Sequence, residues 1–301
     1  MIYKIRSESP ELQIYKSLHA RMNLLPKDKQ YFFNLKKGFE GEVMFDGKTE
    51  KLQCDCLILN DLLLKHNSST FQIDSLILLG EALYLFEVKN FEGDFYYESD
   101  KIYTKSRIEI SNPLIQLKRT ESLLRQLLQS LGFNTTVTAS VVFINPEFTL
   151  YQCPQDKPFL LPTQITRNLK QLNDNPAKLN GKYKILAEKF VSLHIEESPY
   201  SQLPAYHYDL LQKGIKCEVC NSFLITVEGN HCKCLECGHK EALSKAVLRS
   251  VKEFQLLFPD QKITTNIIQD WCKVVQPKYR IRRVLERNFN PVGVHQWTYY
   301  E

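Results

Sequence analysis

Apolar runs in the first half of the chain alternate with turn signals and predict β-strands. Residues 71–79 and 82–90 are rich in leucine, isoleucine, phenylalanine and tyrosine, and the pair Gly80-Glu81 separates them. Such runs on either side of a short turn predict the two strands of a hairpin. Residues 94–98 and 101–104 predict the two strands of a second hairpin, and residues 137–144 predict a further strand.

Apolar residues at helical spacing predict helices before and after these strands. Residues 11–25 carry such a stripe, and we interpret it as a packing helix that precedes the central domain. A second stripe surrounds Gly38 and Gly41, which would let that helix approach the sheet closely. Asn112 and Pro113 are typical of a helix start, and leucines continue that helix to about residue 131. The apolar members of the second stripe are Phe32, Leu35, Phe39 and Val43.

Three charged residues interrupt the first predicted hairpin. Because side chains alternate between the two faces of a strand, Glu87 and Lys89 share one face, and Asp74 on the neighbouring strand can stand beside them. Unpaired charges in an apolar sheet would cost several kcal/mol each, so these groups should share a partner. A divalent cation with a phosphate substrate is such a partner. The alternative is a salt-bridged pair on a solvated sheet face.

Two more polar residues belong to the same candidate site. Glu42 lies on the predicted glycine-containing helix, and Gln116 falls one turn inside the helix that starts at Asn112. The amide of Gln116 could orient a water molecule or a phosphate oxygen.

Four motifs, taken in order, resemble a known family. They are Gly38-x-x-Gly41-Glu42, Gln72-Ile73-Asp74, Phe86-Glu87-Val88-Lys89-Asn90-Phe91-x-Gly93 and Asn112-Pro113-x-x-Gln116. In this order they resemble the nuclease-related domain (NERD), a branch of the PD-(D/E)xK nuclease superfamily, over roughly residues 30–170. Ile73 stands where the superfamily name has proline, a proline that is frequently absent.

The resemblance implies a fold, an activity and roles for the site residues. It implies a restriction-endonuclease-like mixed sheet flanked by helices, and Mg²⁺- or Mn²⁺-dependent cleavage of phosphodiester bonds. Asp74, Glu87 and Lys89 would form the catalytic core, with Asp74 and Glu87 as the magnesium ligands. Glu42 and Gln116 would assist them.

A cluster of cysteines further along the chain predicts a structural zinc site. Two C-x-x-C pairs are separated by thirteen residues, with a strand-like segment and a turn between them. Four thiolates complete a tetrahedral zinc shell and leave no open position for catalysis, so one structural Zn²⁺ in a zinc ribbon is expected. The alternative is a set of structural thiols, and one ligand could be exchanged for a nearby donor. The predicted ligands are Cys217, Cys220, Cys234 and Cys237, and the nearby donors are His231, Cys232 and His239.

The C-terminal segment predicts three short helices, of which the last is basic. Their apolar stripes run through residues 243–258, 264–275 and 281–288, and five cations lie away from the third stripe. This pattern resembles a helix-turn-helix, whose recognition helix enters the major groove. Arginines and lysines attract the nucleic-acid backbone without base readout. The alternative is a helical cap with a solvated basic face. The five cations are Lys278, Arg280, Arg282, Arg283 and Arg287.

Composition and charge add limits to this picture. With 301 residues, 43% of them hydrophobic and 24% charged, the chain is typical of a soluble protein of the α/β (α+β) class with two or three domains. Its net charge of +5 is too small to prove a polyanionic partner. No apolar run approaches the ~18 residues of a membrane span, and the N-terminus lacks a signal peptide, so a cytoplasmic location is expected. The predicted segments are 1–26 (packing helix), 27–198 (nuclease-like domain), 205–241 (zinc ribbon) and 242–301 (helical domain).

Two functions from different classes fit these features. The first is a Mg²⁺-dependent endonuclease or nickase, acting on nucleic acid and preferably DNA, with a zinc ribbon and a DNA-docking tail. The second is a non-catalytic protein that retains a nuclease fold and binds nucleic acid or another partner.

Overall fold

The computed structural model describes residues 1–196 and 199–301 and divides into two compact units. The first unit combines Met1–Ser9 with Phe33–Ser201, and the second combines Pro10–Phe32 with Gln202–Glu301. The helix predicted at 11–25 therefore belongs to the same unit as the C-terminal part of the chain. Its place in the sequence had suggested a packing helix that precedes the central domain. The predicted end of the nuclease-like domain, residue 198, lies outside the described residues. The division of the chain into four domains stays a prediction.

A six-stranded mixed sheet forms the centre of the first unit. Its strand order is β1-β2-β3-β4-β8-β10, with antiparallel pairing from β2 to β4 and parallel pairing at β1-β2, β4-β8 and β8-β10. The strands are β1 (Ile2–Lys4), β2 (Cys56–His66), β3 (Ser69–Leu79), β4 (Ala82–Lys89), β8 (Thr136–Phe143) and β10 (Phe159–Leu160).

The central strands are apolar on both faces because helices cover both faces. β3 runs almost without interruption through buried residues, which is typical of a strand in the middle of a layered fold. The predicted hairpin of β3 and β4 is present, with Gly80 at a positive φ of 59° in the turn between them. A positive φ favours glycine at that turn.

Helices pack on the two faces of this sheet, so the predicted mixed sheet with flanking helices is confirmed. Leucines of α3 and of α5 share one core with the strands, and Phe45 of α2 shares the other with Ile165 and Leu169 of α4. Asn112 caps α3, because its side chain accepts a hydrogen bond from the Leu114 amide. These helices are α2 (Pro26–Thr49), α3 (Pro113–Ser130), α4 (Pro162–Asn173) and α5 (Gly181–Ser192).

The predicted apolar stripe of α2 needs one correction. Val43 is 46% exposed, whereas Phe45 is fully buried. The buried positions from residue 41 onward are Gly41, Phe45 and Thr49, which recur every four residues and turn toward the sheet. Spacing alone could not separate these two stripes, because both fit a helix.

A second, four-stranded sheet in the first unit follows directly on the end of β4. Its order is β7-β6-β5-β9, and the predicted hairpin at 94–104 forms its centre. The strands are β5 (Gly93–Glu98), β6 (Lys101–Thr104), β7 (Glu109–Ile110) and β9 (Phe148–Tyr151).

The second unit joins an N-terminal helix, a small three-stranded sheet and three C-terminal helices around one core. Ile14 and Leu18 of its first helix pack with Val247, Phe254 and Trp271. That helix ends at Arg21, and Leu25 of the predicted stripe is exposed. The elements are α1 (Pro10–Arg21), β11 (Ile225–Glu228), β12 (His231–Cys234), β13 (Lys240–Ala242), α6 (Leu243–Leu257), α7 (Thr265–Cys272), α8 (Tyr279–Asn288), β14 (Pro291–Val292) and β15 (Tyr299–Tyr300).

Among the described residues, no helix combines the length and the apolar character that a membrane crossing needs.

Candidate functional site

The β3-β4 hairpin places Asp74 and Glu87 side by side. Ser75 pairs with Phe86 in the antiparallel register, so Asp74 lies across from Glu87 at the next position. The Val88 amide donates a hydrogen bond of 2.7 Å to Asp74 Oδ2. Both carboxyl groups are almost fully shielded, with exposed fractions of 5% for Asp74 and 1% for Glu87. The predicted pairing of these residues on adjacent strands is therefore present.

Lys89 lies on the same strand face as Glu87 and contacts two of the predicted site residues. Its Nζ is 2.7 Å from Glu87 Oε1 and donates a hydrogen bond of 3.0 Å to Gln116 Oε1. The second contact depends on the Asn112 cap, which starts α3 at the position that turns Gln116 toward the sheet. Four residues from three elements thus meet: Asp74, Glu87, Lys89 and Gln116.

Glu42 is joined to this group through a residue that the sequence did not single out. Arg6 donates from Nη1 to Glu42 Oε2 at 2.5 Å and from Nη2 to the Asp74 carbonyl at 2.6 Å. The same guanidinium makes two hydrogen bonds to Asp46. A single arginine in the first nine residues carries no motif, so only its position in the fold identifies it.

The close approach of α2 to the sheet brings Glu42 to this site. A Cβ added to Gly41 would lie 2.5 Å from the Asn90 Cβ, so only glycine allows this packing distance. Gly38, in contrast, has open space around it. The prediction that Gly38 also lets α2 approach the sheet closely is therefore wrong. Asn90 is held in place by bonds to the Lys37 carbonyl and to Asn145.

Burial and mutual repulsion change the acid-base behaviour of the carboxyl groups. Burial, together with the charge of Asp74, raises the pKa of Glu42 to about 8 and that of Glu87 to about 8. Burial also raises the pKa of Asp74, although Lys89 opposes this shift. For Lys89, burial acts to lower the pKa, but the charges of Glu87 and Asp74 raise it overall. The ammonium therefore stays charged at neutral pH.

The donor set fits a hard divalent cation. Four carboxyl groups (Glu42, Asp46, Asp74 and Glu87) face two cationic groups (Arg6 and Lys89), so full ionisation leaves a surplus of negative charge. Magnesium and manganese take oxygen ligands, and magnesium commonly uses one or two carboxylates with water and phosphate. Among the described residues, Glu42, Asp74 and Glu87 do not form a compact group of metal-ligand atoms of the kind that the cysteines described next form.

The four predicted cysteines form a second candidate metal site. Their sulfur atoms all lie within 4.8 Å of one another, and the Cys217–Cys237 and Cys220–Cys234 sulfurs are each 3.6 Å apart. A tetrahedron of sulfurs around zinc has edges of about 3.8 Å. Backbone amides of Cys237 and Glu236 lower the pKa of Cys234 to about 7, whereas desolvation and the neighbouring sulfurs raise the pKa of Cys220 and of Cys237. The cluster can hold a zinc ion, and β11, β12 and β13 supply the ribbon-like hairpins beside it.

The structure separates the five cations predicted to contact nucleic acid. Arg280 donates to the Gly229 carbonyl and to Asn230 in the turn between β11 and β12. Arg282 pairs with Glu286 at 2.7 Å, and Lys278 donates to Asn266. Arg283 and Arg287 are exposed on α8, away from its buried stripe of Ile281, Val284 and Leu285. A helix-turn-helix arrangement of this tail stays a prediction.

Comparison with known proteins agrees with the resemblance drawn from the motifs. Residues 37–144 match the family model of the nuclease-related domain. No curated protein and no solved structure matches the chain. The matched residues contain Glu42, Asp74, Glu87, Lys89 and Gln116, whereas Arg6, the cysteine cluster and the C-terminal helices lie outside them. The predicted family is confirmed for this stretch, and the roles of its individual residues stay predictions.

Proposed function

We propose that the nuclease-related domain of this chain is a metal-dependent nuclease that hydrolyses phosphodiester bonds, those of DNA in particular. One observation carries the proposal: two buried carboxyl groups on adjacent strands, Asp74 and Glu87, face the ammonium of Lys89. A solvated salt bridge, the alternative drawn from the sequence, does not explain carboxyl groups that are 95% or more shielded. Buried ionisable groups with strongly shifted pKa values are typical of functional sites.

In this proposal Asp74 and Glu87 would hold a Mg²⁺ or Mn²⁺ ion. Such an ion, when bound, polarises a phosphate oxygen and stabilises the negative charge of the transition state. The protein supplies the rest. Lys89, charged and held between Glu87 and Gln116, is placed to donate a hydrogen bond to a phosphate oxygen or to the attacking water. Gln116 orients that ammonium, and the apolar strands around the carboxyl groups limit access of bulk water.

The competing function is a protein that binds nucleic acid or another partner and does not cleave it. The family match by itself is compatible with this alternative. The intact set of Asp74, Glu87, Lys89 and Gln116 favours the nuclease, because a binding protein has no need to bury two repelling carboxyl groups beside a lysine. Burying such groups without function costs stability.

Cleavage assays with matched variants test the proposal. Purified protein should nick or linearise plasmid DNA with Mg²⁺ or Mn²⁺ and not with EDTA. Asp74→Asn, Glu87→Gln and Lys89→Ala should each lose at least ~10²-fold in rate while the circular dichroism spectrum stays unchanged. Glu92→Gln removes a carboxylate at the exposed end of the same segment, where it pairs with Lys37, and should cleave normally.

The outcomes separate the two functions. Wild-type protein that binds DNA but leaves it intact with either metal would support the binding alternative and reject the nuclease. Full activity of both Asp74→Asn and Glu87→Gln, in a preparation free of contaminating nuclease, would reject these two residues as the catalytic carboxylates.

For the second unit we propose a structural zinc ribbon and a basic surface on α8 that attracts the nucleic-acid backbone. The gathered sulfurs of the cysteine cluster support the zinc ion. The exposure of Arg283 and Arg287 supports the basic surface. Arg280 has a different role in this proposal, because its guanidinium holds the turn of the ribbon.

A further inference from the structure

A buried arginine from the first nine residues lies at the candidate nuclease site. The side chain of Arg6 is only 3% exposed. The chain reaches this place through β1, which pairs in parallel with β2, and through Lys4, whose Nζ donates to the carbonyls of Asn60 and Asp61. Arg6 thus enters the site from outside the residues that match the nuclease-related domain.

The guanidinium of Arg6 connects one helix to one strand. On α2 it contacts Asp46 twice, from Nε at 2.8 Å and from Nη2 at 3.1 Å, and it contacts Glu42 from Nη1 at 2.5 Å. On β3 its Nη2 donates to the Asp74 carbonyl at 2.6 Å. The two α2 partners are one helical turn apart, so a single planar group reaches both.

The chemistry of these contacts requires arginine. A guanidinium presents five N–H donors in a fixed plane, whereas a lysine ammonium is a compact point charge. Lysine at this position could pair with one carboxylate but could not hold Glu42, Asp46 and the Asp74 carbonyl together. Arg6 also supplies one of the two positive charges that oppose the four carboxyl groups of the site.

We propose that Arg6 is a positioning residue of the nuclease site, which holds the Glu42 carboxylate and the Asp74 segment of β3 at their working separation. This inference rests on the proposed function. Asp46 accepts two hydrogen bonds from Arg6 and so fixes the orientation of the guanidinium. In that orientation the guanidinium also donates to the Glu42 carboxylate and to the Asp74 carbonyl on β3. Groups that orient metal ligands commonly change metal affinity or activity by about 10- to 100-fold when they are mutated.

A double-mutant cycle tests whether Arg6 acts through Glu42. The variants are Arg6→Gln, Glu42→Gln and the double variant, with kcat and KM measured on an oligonucleotide duplex and Mn²⁺ binding measured by calorimetry without DNA. Arg6→Gln should lower kcat by about 10- to 100-fold with KM changed less than about 3-fold. The loss in the double variant should be smaller than the product of the two single losses, because the Arg6–Glu42 contact is already absent in each single variant.

Arg6→Lys should still fold, because it retains the positive charge in a buried, acidic environment. It should still lose at least ~10-fold in kcat or in Mn²⁺ affinity, since an ammonium cannot hold both carboxylates. Full kcat and full Mn²⁺ affinity in folded Arg6→Lys and Arg6→Gln would overturn the proposal. Losses that multiply in full in the double variant would also overturn it, because they would show that Arg6 does not act through Glu42.

The calorimetry separates this proposal from the proposed function. If the wild type binds Mn²⁺ but does not cleave DNA, the nuclease fails, and the Arg6 proposal is then decided by Mn²⁺ affinity alone. Weakening by ~10-fold or more in Arg6→Lys would support it, and an unchanged affinity would reject it. If the wild type neither cleaves DNA nor binds Mn²⁺, both proposals are rejected.

Discussion

At the scale of single residues, the buried carboxyl groups dominate the behaviour of the first unit. Glu87 lies on β4 and Glu42 on α2, and both side chains are desolvated and lie close to the charge of Asp74, so their charged forms are disfavoured. A folded protein that prefers the protonated acids binds protons that the unfolded chain releases. The site therefore makes the stability of the metal-free protein depend on pH.

We expect the metal-free protein to become less stable as the pH rises from about 5 to about 8. The ordinary pKa of glutamate is 4.5, and in the folded state it rises to about 8 for Glu42 and Glu87. In this window the folded state holds more protons than the unfolded state, so raising the pH favours unfolding. Calorimetric unfolding in EDTA measures the slope, and Glu87→Gln should flatten it. A wild-type stability that rises across this window would contradict the assignment of the raised pKa values.

At the scale of elements, the packing distance between α2 and the sheet depends on one glycine. Gly41→Ala should destabilise the first unit, because the new methyl group would lie 2.5 Å from the Asn90 Cβ. Overpacking of this kind costs about 1–3 kcal/mol. Gly38→Ala is the matched control: it lies on the same helix with nothing within 4 Å of the added Cβ. That variant should gain up to about 1 kcal/mol from helix propensity.

Chemical denaturation of the two alanine variants, followed by far-UV circular dichroism, gives the comparison. Equal stabilities would mean that α2 does not approach the sheet as closely as the structure shows.

The ribbon formed by β11, β12 and β13 should depend on zinc. Elemental analysis should find one zinc ion for each chain, and Cys217→Ser should lose it, because three thiolates leave the tetrahedral shell incomplete. His231→Ala should keep the metal: His231 is exposed and lies outside the group of four sulfurs. If Cys217→Ser retains zinc and His231→Ala loses it, His231 is a zinc ligand in place of Cys217.

The basic face of α8 should contribute to DNA affinity through its two exposed arginines. Reversing Arg283 and Arg287 to glutamate should weaken duplex binding and reduce the log–log salt slope by about 0.9 for each phosphate that is no longer neutralised. The reversal leaves the buried stripe of α8 intact. Lys245→Glu/Lys252→Glu makes the same charge change on the exposed side of α6 and serves as the control.

Fluorescence anisotropy at several salt concentrations measures both the affinity and the salt slope. If DNA affinity falls equally in the two double variants, the decrease comes from the change in net charge and not from a DNA contact of α8. In that case α8 is a helical cap.

At the scale of the whole molecule, each compact unit has its own buried ionic group. In the second unit Arg21 of α1 pairs with Glu253 of α6 at 2.6 Å, and the arginine side chain is fully buried. The Arg21 guanidinium also lies 3.9 Å from the centre of the Trp271 ring. These contacts join the N-terminal helix to the C-terminal helices across more than 230 residues of sequence.

Arg21→Ala should destabilise the second unit by about 3–5 kcal/mol, because it leaves Glu253 buried with an incomplete set of partners. Both tryptophans of the chain, Trp271 and Trp297, belong to this unit. Tryptophan fluorescence during urea unfolding therefore reports this unit selectively. Arg287→Ala removes an exposed arginine from the same unit and should change stability by less than about 0.5 kcal/mol. Matching midpoints for the two variants would reject the role of Arg21.

Local patterns in the sequence were sufficient for much of the fold and for part of the candidate site. Short-range periodicity predicts the β3-β4 hairpin, and the period of two places Glu87 beside Lys89. The Asn112 cap and the C-x-x-C spacing act over a few residues, so Gln116 and the four cysteines were also predictable. In each case the chain is too short and too constrained between the named residues to arrange them differently.

Only the tertiary structure decided how distant segments combine. Arg6 meets Glu42 across 36 residues and the Asp74 carbonyl across 68, and α1 joins the C-terminal core rather than the domain that follows it. The buried stripe of α2 and the unequal roles of Gly38 and Gly41 also depend on which side of the helix faces the sheet. A sequence pattern reports the conformation of its own neighbours, whereas these features come from packing surfaces whose partners lie far away along the chain.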